Sequence, residues 1–108
     1  MTVNELIKEC GFEAVCLPDG EREIRGAYVG DLLSWVMGRA QADNAWITIM
    51  SNSNVIAVAS LADTACVILA EGVTLDDEIK TAAEQKDINV LTSQKPAFET
   101  AELLFGKV

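Results

Sequence analysis

The run Ala65-Cys66-Val67-Ile68-Leu69-Ala70 constrains this chain more than any other feature. An uninterrupted apolar stretch of this length, bounded by turn-forming residues, fits a strand buried on both faces. Such a strand needs cover above and below, so helices must flank the sheet that contains it. The chain continues with a helical segment at 76–86, with Leu75, Ile79, Ala82 and Ala83 facing inward, and then a second apolar run at 88–91. A connection of that length suits a right-handed crossover between parallel strands, whereas a hairpin needs only a few linking residues.

The rest of the sequence alternates in the same way. Thr2 and Glu5 have the spacing of a capping box, and Val3, Leu6, Ile7 and Cys10 recur at helical period up to a stop at Gly11. Residues 14–17 read as a strand ending in the turn Pro18-Asp19-Gly20, and a second strand is expected at 24–29. A helix capped by Asp31 would place Leu32, Leu33, Val36, Met37 and Ala40 on one face. A strand at 46–50 precedes a helix at 55–62 whose residues are apolar almost all round, so either core or a subunit contact must cover it. A last helix begins near Pro96, turns Phe98, Ala101, Leu104 and Phe105 inward, and stops at Gly106. The expected fold is a single α/β domain over residues 1–108, a mostly parallel sheet with flanking helices.

Charge and composition remove whole classes of function. The 17 acidic residues outnumber the 8 basic ones for a net charge of −9, the wrong sign for neutralising nucleic-acid phosphates or docking on anionic lipid. No apolar run reaches the roughly 20 residues that span a bilayer, and no signal-peptide pattern opens the chain, so a cytoplasmic location is expected, with no nucleic-acid or membrane partner. There is no histidine, which argues against the nucleophilic triads and most general-base schemes that work near neutral pH. Cys10, Cys16 and Cys66 form no C-x-x-C pair and sit in apolar surroundings, as small core residues do. Phosphate-binding and dinucleotide-binding glycine motifs are also missing, so no metal, no cofactor and no catalysis are expected.

Three strand-to-helix junctions carry small polar groups: Ser51, Asn52, Ser53 and Asn54; Glu71 and Gly72 with Thr74; and Thr92 and Ser93 with Gln94. If the strands are parallel, all three emerge on one rim, where open α/β sheets tend to bind ligands and helix N-termini favour anions. The rim is therefore the expected binding site for a small anionic effector. The alternative is that these side chains only cap helices. Separately, Trp35 and Met37, together with Ile56 and Val58 of the apolar helix, are expected to form a homodimer surface.

The stretch 20–34, Gly-Glu-Arg-Glu-Ile-Arg-Gly-Ala-Tyr-Val-Gly-Asp-Leu-Leu-Ser, resembles the signature region of the DRTGG domain family. Residues 45–61 and the segment Ala-Cys-Val-Ile-Leu-Ala-Glu-Gly extend the resemblance along essentially the whole chain. Where the family name spells Asp-Arg-Thr-Gly-Gly, this chain has Glu21-Arg22-Glu23 and then Arg25-Gly26, so Arg22 and Gly26 carry the motif over, with Gly30 and Asp31 following. The resemblance implies a fold like the N-terminal domain of bacterial HPr kinase. It also implies a non-catalytic regulatory or dimerising role, here as a freestanding module, with a nucleotide-like effector or a partner enzyme of a redox or phosphotransfer system. Arg22 is expected either to pair with Glu21 or Asp31 or to reach an anionic ligand.

Overall fold

The computed structural model describes residues 1–108. The capping box forms as the sequence suggests: the Glu5 N–H donates to Thr2 Oγ1 at 3.1 Å, and the Thr2 N–H donates to Glu5 Oε1 at 2.9 Å. These bonds start helix α1 (Val3–Cys10), and Gly11, at φ 73°, ends it in the left-handed region that suits glycine. The elements that follow are β1 (Glu13–Cys16), β2 (Ala27–Val29), α2 (Leu33–Arg39), β3 (Ala45–Thr48), α3 (Ser53–Ala62), β4 (Cys66–Leu69), α4 (Asp77–Gln85), β5 (Val90–Thr92) and α5 (Ala97–Leu104).

The five strands lie in the order β1-β5-β4-β3-β2, with β2 to β5 parallel and β1 antiparallel on the outer side of β5. Each crossover from β2 to β5 steps one strand in the same direction, so right-handed connections put α2, α3 and α4 on one face. Side-chain alternation divides the core to match. Trp46, Val67, Leu69 and Val90 pack with Val36 of α2, Val55 and Ile56 of α3 and Ala83 of α4. Ala45, Ile47, Cys66, Ile68 and Leu91 point the other way, onto Val3 and Leu6 of α1 and Leu104 of α5. Every residue of β3 and β4 is buried, as strands covered on both faces require.

Several expectations are corrected. The second strand is confined to Ala27–Val29, because Gly26 sits at φ 75° and breaks the extended backbone, while Ile24 is buried on the α1 face. Asp31 does not cap α2; Leu32 occupies that position without a side-chain hydrogen bond. Leu32 and Met37 are exposed, so only Val36 anchors α2 fully in the core. On α3, Ile56 and Val58 are 2% and 4% exposed, so they belong to the core and have no surface to offer a partner. Each buried side chain of that size stabilises the fold by roughly 1.5–3 kcal/mol. On α5, Ala101 and Leu104 do turn inward, but Phe98 and Phe105 are 77% and 89% exposed. The fully buried stripe of that helix is Thr100 and Leu104 instead.

Candidate functional site at the strand ends

Because β3, β4 and β5 are parallel neighbours, the segments that follow them share one rim. Ser51 to Asn54, Glu71 and Gly72, and Thr92 to Gln94 are thereby brought together. The loops leave the rim in different directions: the β4 loop turns toward α4 on one face, and the β5 loop toward α5 on the other. In open sheets this divergence creates a crevice. Here backbone bonds zip it shut, with the Glu71 N–H donating to Lys95 O at 2.9 Å and the Gly72 N–H to Ser93 O at 2.7 Å. Both Glu71 (φ 61°) and Gly72 (φ 71°) adopt left-handed backbone to make this turn.

The polar side chains divide into those with structural work and those without. Asn52 Oδ1 accepts from the Asn54 N–H at 2.9 Å and caps α3. Thr92 Oγ1 donates to Val73 O at 2.7 Å, tying the β4 loop to β5. Ser93 Oγ lies 2.8 Å from Thr100 Oγ1 in the interior, and also accepts from the Lys95 N–H at 3.2 Å. These three side chains are committed within the fold. Ser51 is half-buried, while Ser53, Asn54, Glu71 and Thr74 are exposed and free to meet a ligand.

Sequence reasoning missed two contributors to the rim. The antiparallel β1 begins where β5 ends, Glu13 pairing with Thr92, so the α1–β1 connection arrives beside the β5 loop. No local sequence signal announces that long-range pairing. Lys95, exposed on the same loop, brings a positive charge. Together with Gly11, Phe12 and Gln94 these residues line a groove of about 130 Å³. That is well below the roughly 300 Å³ at which pockets begin to enclose a drug-sized ligand. The groove has room for a group the size of a phosphate or carboxylate, with Lys95 and the opposing Glu13 carboxylate both in its wall, and is too small for a whole nucleotide.

The motif residues stand elsewhere. Arg22 pairs with neither Glu21 nor Asp31. Its guanidinium donates to Asp43 Oδ1 at 3.0 Å, to Asp63 Oδ1 at 2.9 Å and to Asp63 O at 2.8 Å. Asp43 and Asp63 precede β3 and β4, so this clamp sits at the end of the sheet opposite the rim. Partial burial works to lower the Arg22 pKa, but the hydrogen bonds to Asp43 and Asp63 outweigh it and hold the pKa above its ordinary value. Gly26, beside the clamp, presents its carbonyl to the Ala45 N–H at 3.0 Å. Gly30 and Asp31 lie at the rim end of β2, where Gly30 O accepts from the buried Trp46 Nε1–H at 2.9 Å. Trp35 and Met37 are exposed on α2, with the Arg39 guanidinium 3.8 Å from the centre of the Trp35 ring.

Nowhere do three or more Cys, Asp or Glu side chains converge as metal ligands do. No helix is long and apolar enough to cross a membrane. Against known proteins, the DRTGG domain family matches residues 6–106. One solved structure, the CBS and DRTGG domains of the regulatory region of Clostridium perfringens pyrophosphatase complexed with its activator diadenosine tetraphosphate, superposes with a TM-score of 0.77 at 15% identity. The match covers 95% of this chain and 45% of that one, so the present chain spans less than half of the solved chain. No curated protein matches the sequence.

Proposed function

The chain belongs to the DRTGG domain family, and from that premise we propose that it is a non-catalytic regulatory domain which senses a small anionic or nucleotide-like effector, or modulates a partner enzyme. The observation that carries this reading is the shared rim of β3, β4 and β5, where Ser51 is half-buried, Ser53, Asn54 and Glu71 are exposed, and the exposed Lys95 stands on the same end of the sheet. The activator in complex with the pyrophosphatase regulatory region is a nucleotide carrying several phosphates. A ligand of that chemistry would present phosphate to Lys95 and to the small groove, with the remainder over the open rim. Thermal-shift measurements with inorganic phosphate, acetyl phosphate and adenine nucleotides test it, since a ligand bound only by the folded state raises the melting temperature. The expected result is a rise with at least one of these compounds that is lost in Lys95→Ala. No rise with any of them at millimolar concentration would end the effector reading.

A second reading, a homodimerisation module, is favoured by a different observation. Phe98, Phe105 and Val29, around α5 and β2, and Leu32 and Trp35, around α2, are all about half exposed or more, apolar surface that a second copy could cover. Light scattering at micromolar concentration distinguishes the two readings, because the effector reading makes no demand on oligomeric state.

A further inference from the structure

We infer that the open edge of β2, together with the α5 face beside it, pairs with the same surface of a second copy to form a continuous ten-stranded sheet across a two-fold axis. This rests on the homodimer reading and assigns its surface, which is not the α2 and α3 face suggested by the sequence. The first observation is the contrast between the two edge strands. β1 is blunted by an irregular register between Ala14 and Cys16, by Glu13 and by Pro18 just beyond its end. β2, Ala27-Tyr28-Val29, has no charge, no proline and no bulge. Its Gly26 O and Gly30 N–H bond to β3, so by the alternation of the ladder Tyr28 faces β3, and Ala27 and Val29 turn their N–H and C=O groups to the open side.

The second observation is what stands above that edge. Ala27 lines a groove of about 330 Å³ with Ala101 and Leu104 of α5 and with Phe105, Gly106 and Val108 of the segment that follows it. Phe98, Ala101 and Phe105 line one shallow groove with Glu102, and Ala101 and Phe105 also face Ala27, while Leu103 lines a separate groove with Cys10. An antiparallel pairing centred on Tyr28 sets Ala27 against the partner's Val29, both with free backbone groups, and gives four new hydrogen bonds around the axis. Strands lie about 4.8 Å apart, and α5 packs over β2 and β3, so its axis falls about 5 Å from the two-fold. The two α5 helices then lie about 10 Å apart, within helix-packing distance, with Ala101 at the crossing and the phenylalanines on either side.

Charge agrees with the same register. Arg25 and Asp31, of opposite charge, flank the strand three residues to either side of Tyr28, so a two-fold there brings each to the end where the partner carries the other, and neither residue has an ion-pair partner within its own chain. Four phenylalanine side chains at about 150 Å² or more each supply about half of the roughly 1,200 Å² that a standard-size interface buries at minimum. The paired strands, Val29 and the α5 backbones provide the rest. A different protein with an extended, uncharged strand would meet the backbone groups equally well, but nothing about it would need Arg25 and Asp31 to mirror each other about Tyr28.

The test measures mass in solution by light scattering and sedimentation, with circular dichroism and thermal melting to confirm folding. The wild-type chain is expected to be dimeric with a melting temperature that rises with concentration, Phe98→Ser/Phe105→Ser to be monomeric with an unchanged circular dichroism spectrum and a cooperative melt independent of concentration, and Trp35→Ser to stay dimeric. Arg25→Glu, which leaves the apolar face intact, should raise the dimer Kd at least about tenfold. Tyr28→Cys should form an intermolecular disulfide under mild oxidation, because the residue at the axis faces its own copy at bonding range. A dimer that survives the double phenylalanine variant and is lost in Trp35→Ser overturns this surface while leaving the homodimer reading standing. A wild-type chain that stays monomeric at high micromolar concentration overturns both.

Discussion

Asp31 Oδ1 accepts a 2.7 Å hydrogen bond from the buried hydroxyl of Thr48 and, through the same oxygen, a 3.0 Å bond from the Ile49 N–H. Thr48 Oγ1 in turn accepts from the Met50 N–H at 3.1 Å. The carboxylate thus works as a staple between the exit of β2 and the exit of β3, next to the rim. Replacing it with alanine strands a buried donor, which costs about 1–3 kcal/mol. Asp31→Asn keeps an acceptor oxygen in place and should cost about 1 kcal/mol or less. Urea unfolding of both variants measures the difference, and an Asn variant as damaged as the Ala variant would show that charge, and not the acceptor geometry, matters at this position.

Arg22 holds together loops that are distant in sequence, and the exposure of its two carboxylate partners limits what each ion pair contributes. Asp43 and Asp63 are 36% and 66% exposed at their side chains, so each pair is worth no more than about 1 kcal/mol after solvent screening. The bond to Asp63 O adds to this, and Arg22→Met is expected to destabilise the domain by about 1–2 kcal/mol in total. Because the clamp lies at the opposite end of the sheet, the same variant should leave any thermal shift from a rim ligand unchanged. Loss of that shift in a folded Arg22→Met protein would place the ligand at the clamp instead of the rim.

How legible each part was depends on whether local pattern or long-range pairing decides it. Residues 65–70 read correctly as a doubly covered strand because burial on both faces leaves no polar alternation, and the parallel order of β4 and β5 followed from the length of the crossover between them. The shared rim followed from that order. The partners of Arg22 were not legible, since Asp43 and Asp63 reach it only after β3 and β4 are placed side by side. On α5 the apolar spacing of Phe98, Ala101 and Phe105 mimics a core stripe, yet the helix buries Thr100 and Leu104, the former because Ser93 supplies its hydrogen bond. Periodicity reports that a face avoids water, but not whether its own chain or another one covers it. The same ambiguity assigned Ile56 and Val58 to an interface when they fill the core.

Thr64 is 3% exposed, and its hydroxyl has no hydrogen-bond partner. Its backbone N–H donates to Ala59 O at 3.2 Å, so the residue is fixed between α3 and β4 by main chain alone. Valine has nearly the same shape without the orphaned polar atom. Thr64→Val should therefore stabilise the domain by about 1 kcal/mol, against the usual sign of a core substitution. The midpoint of urea unfolding checks this, and a lower midpoint would mean that the hydroxyl is hydrogen-bonded in solution.

Cys66, wholly buried on the α1 and α5 face of β4, has its thiol pushed up to about 12 by burial, which the positive charge of Arg22 offsets only in part. In the unfolded chain the same thiol ionises near its ordinary value of about 8.5. The sign of the pH effect follows: above that value the unfolded state loses the proton that the folded state keeps, so unfolding becomes easier. The contribution is fully present below about pH 8.5 and is progressively lost as pH rises towards 12. Cys66→Ala should flatten this alkaline decline in stability, though it lowers stability at neutral pH through the small cavity it leaves. Alkylation provides an independent reading, because iodoacetamide attacks the thiolate. At mildly alkaline pH the half-buried Cys10 should be modified first, and Cys66 only at the rate of unfolding. Rapid modification of Cys66 in the native protein, or an alkaline limb unchanged in Cys66→Ala, would show that this thiol is not sealed in the core.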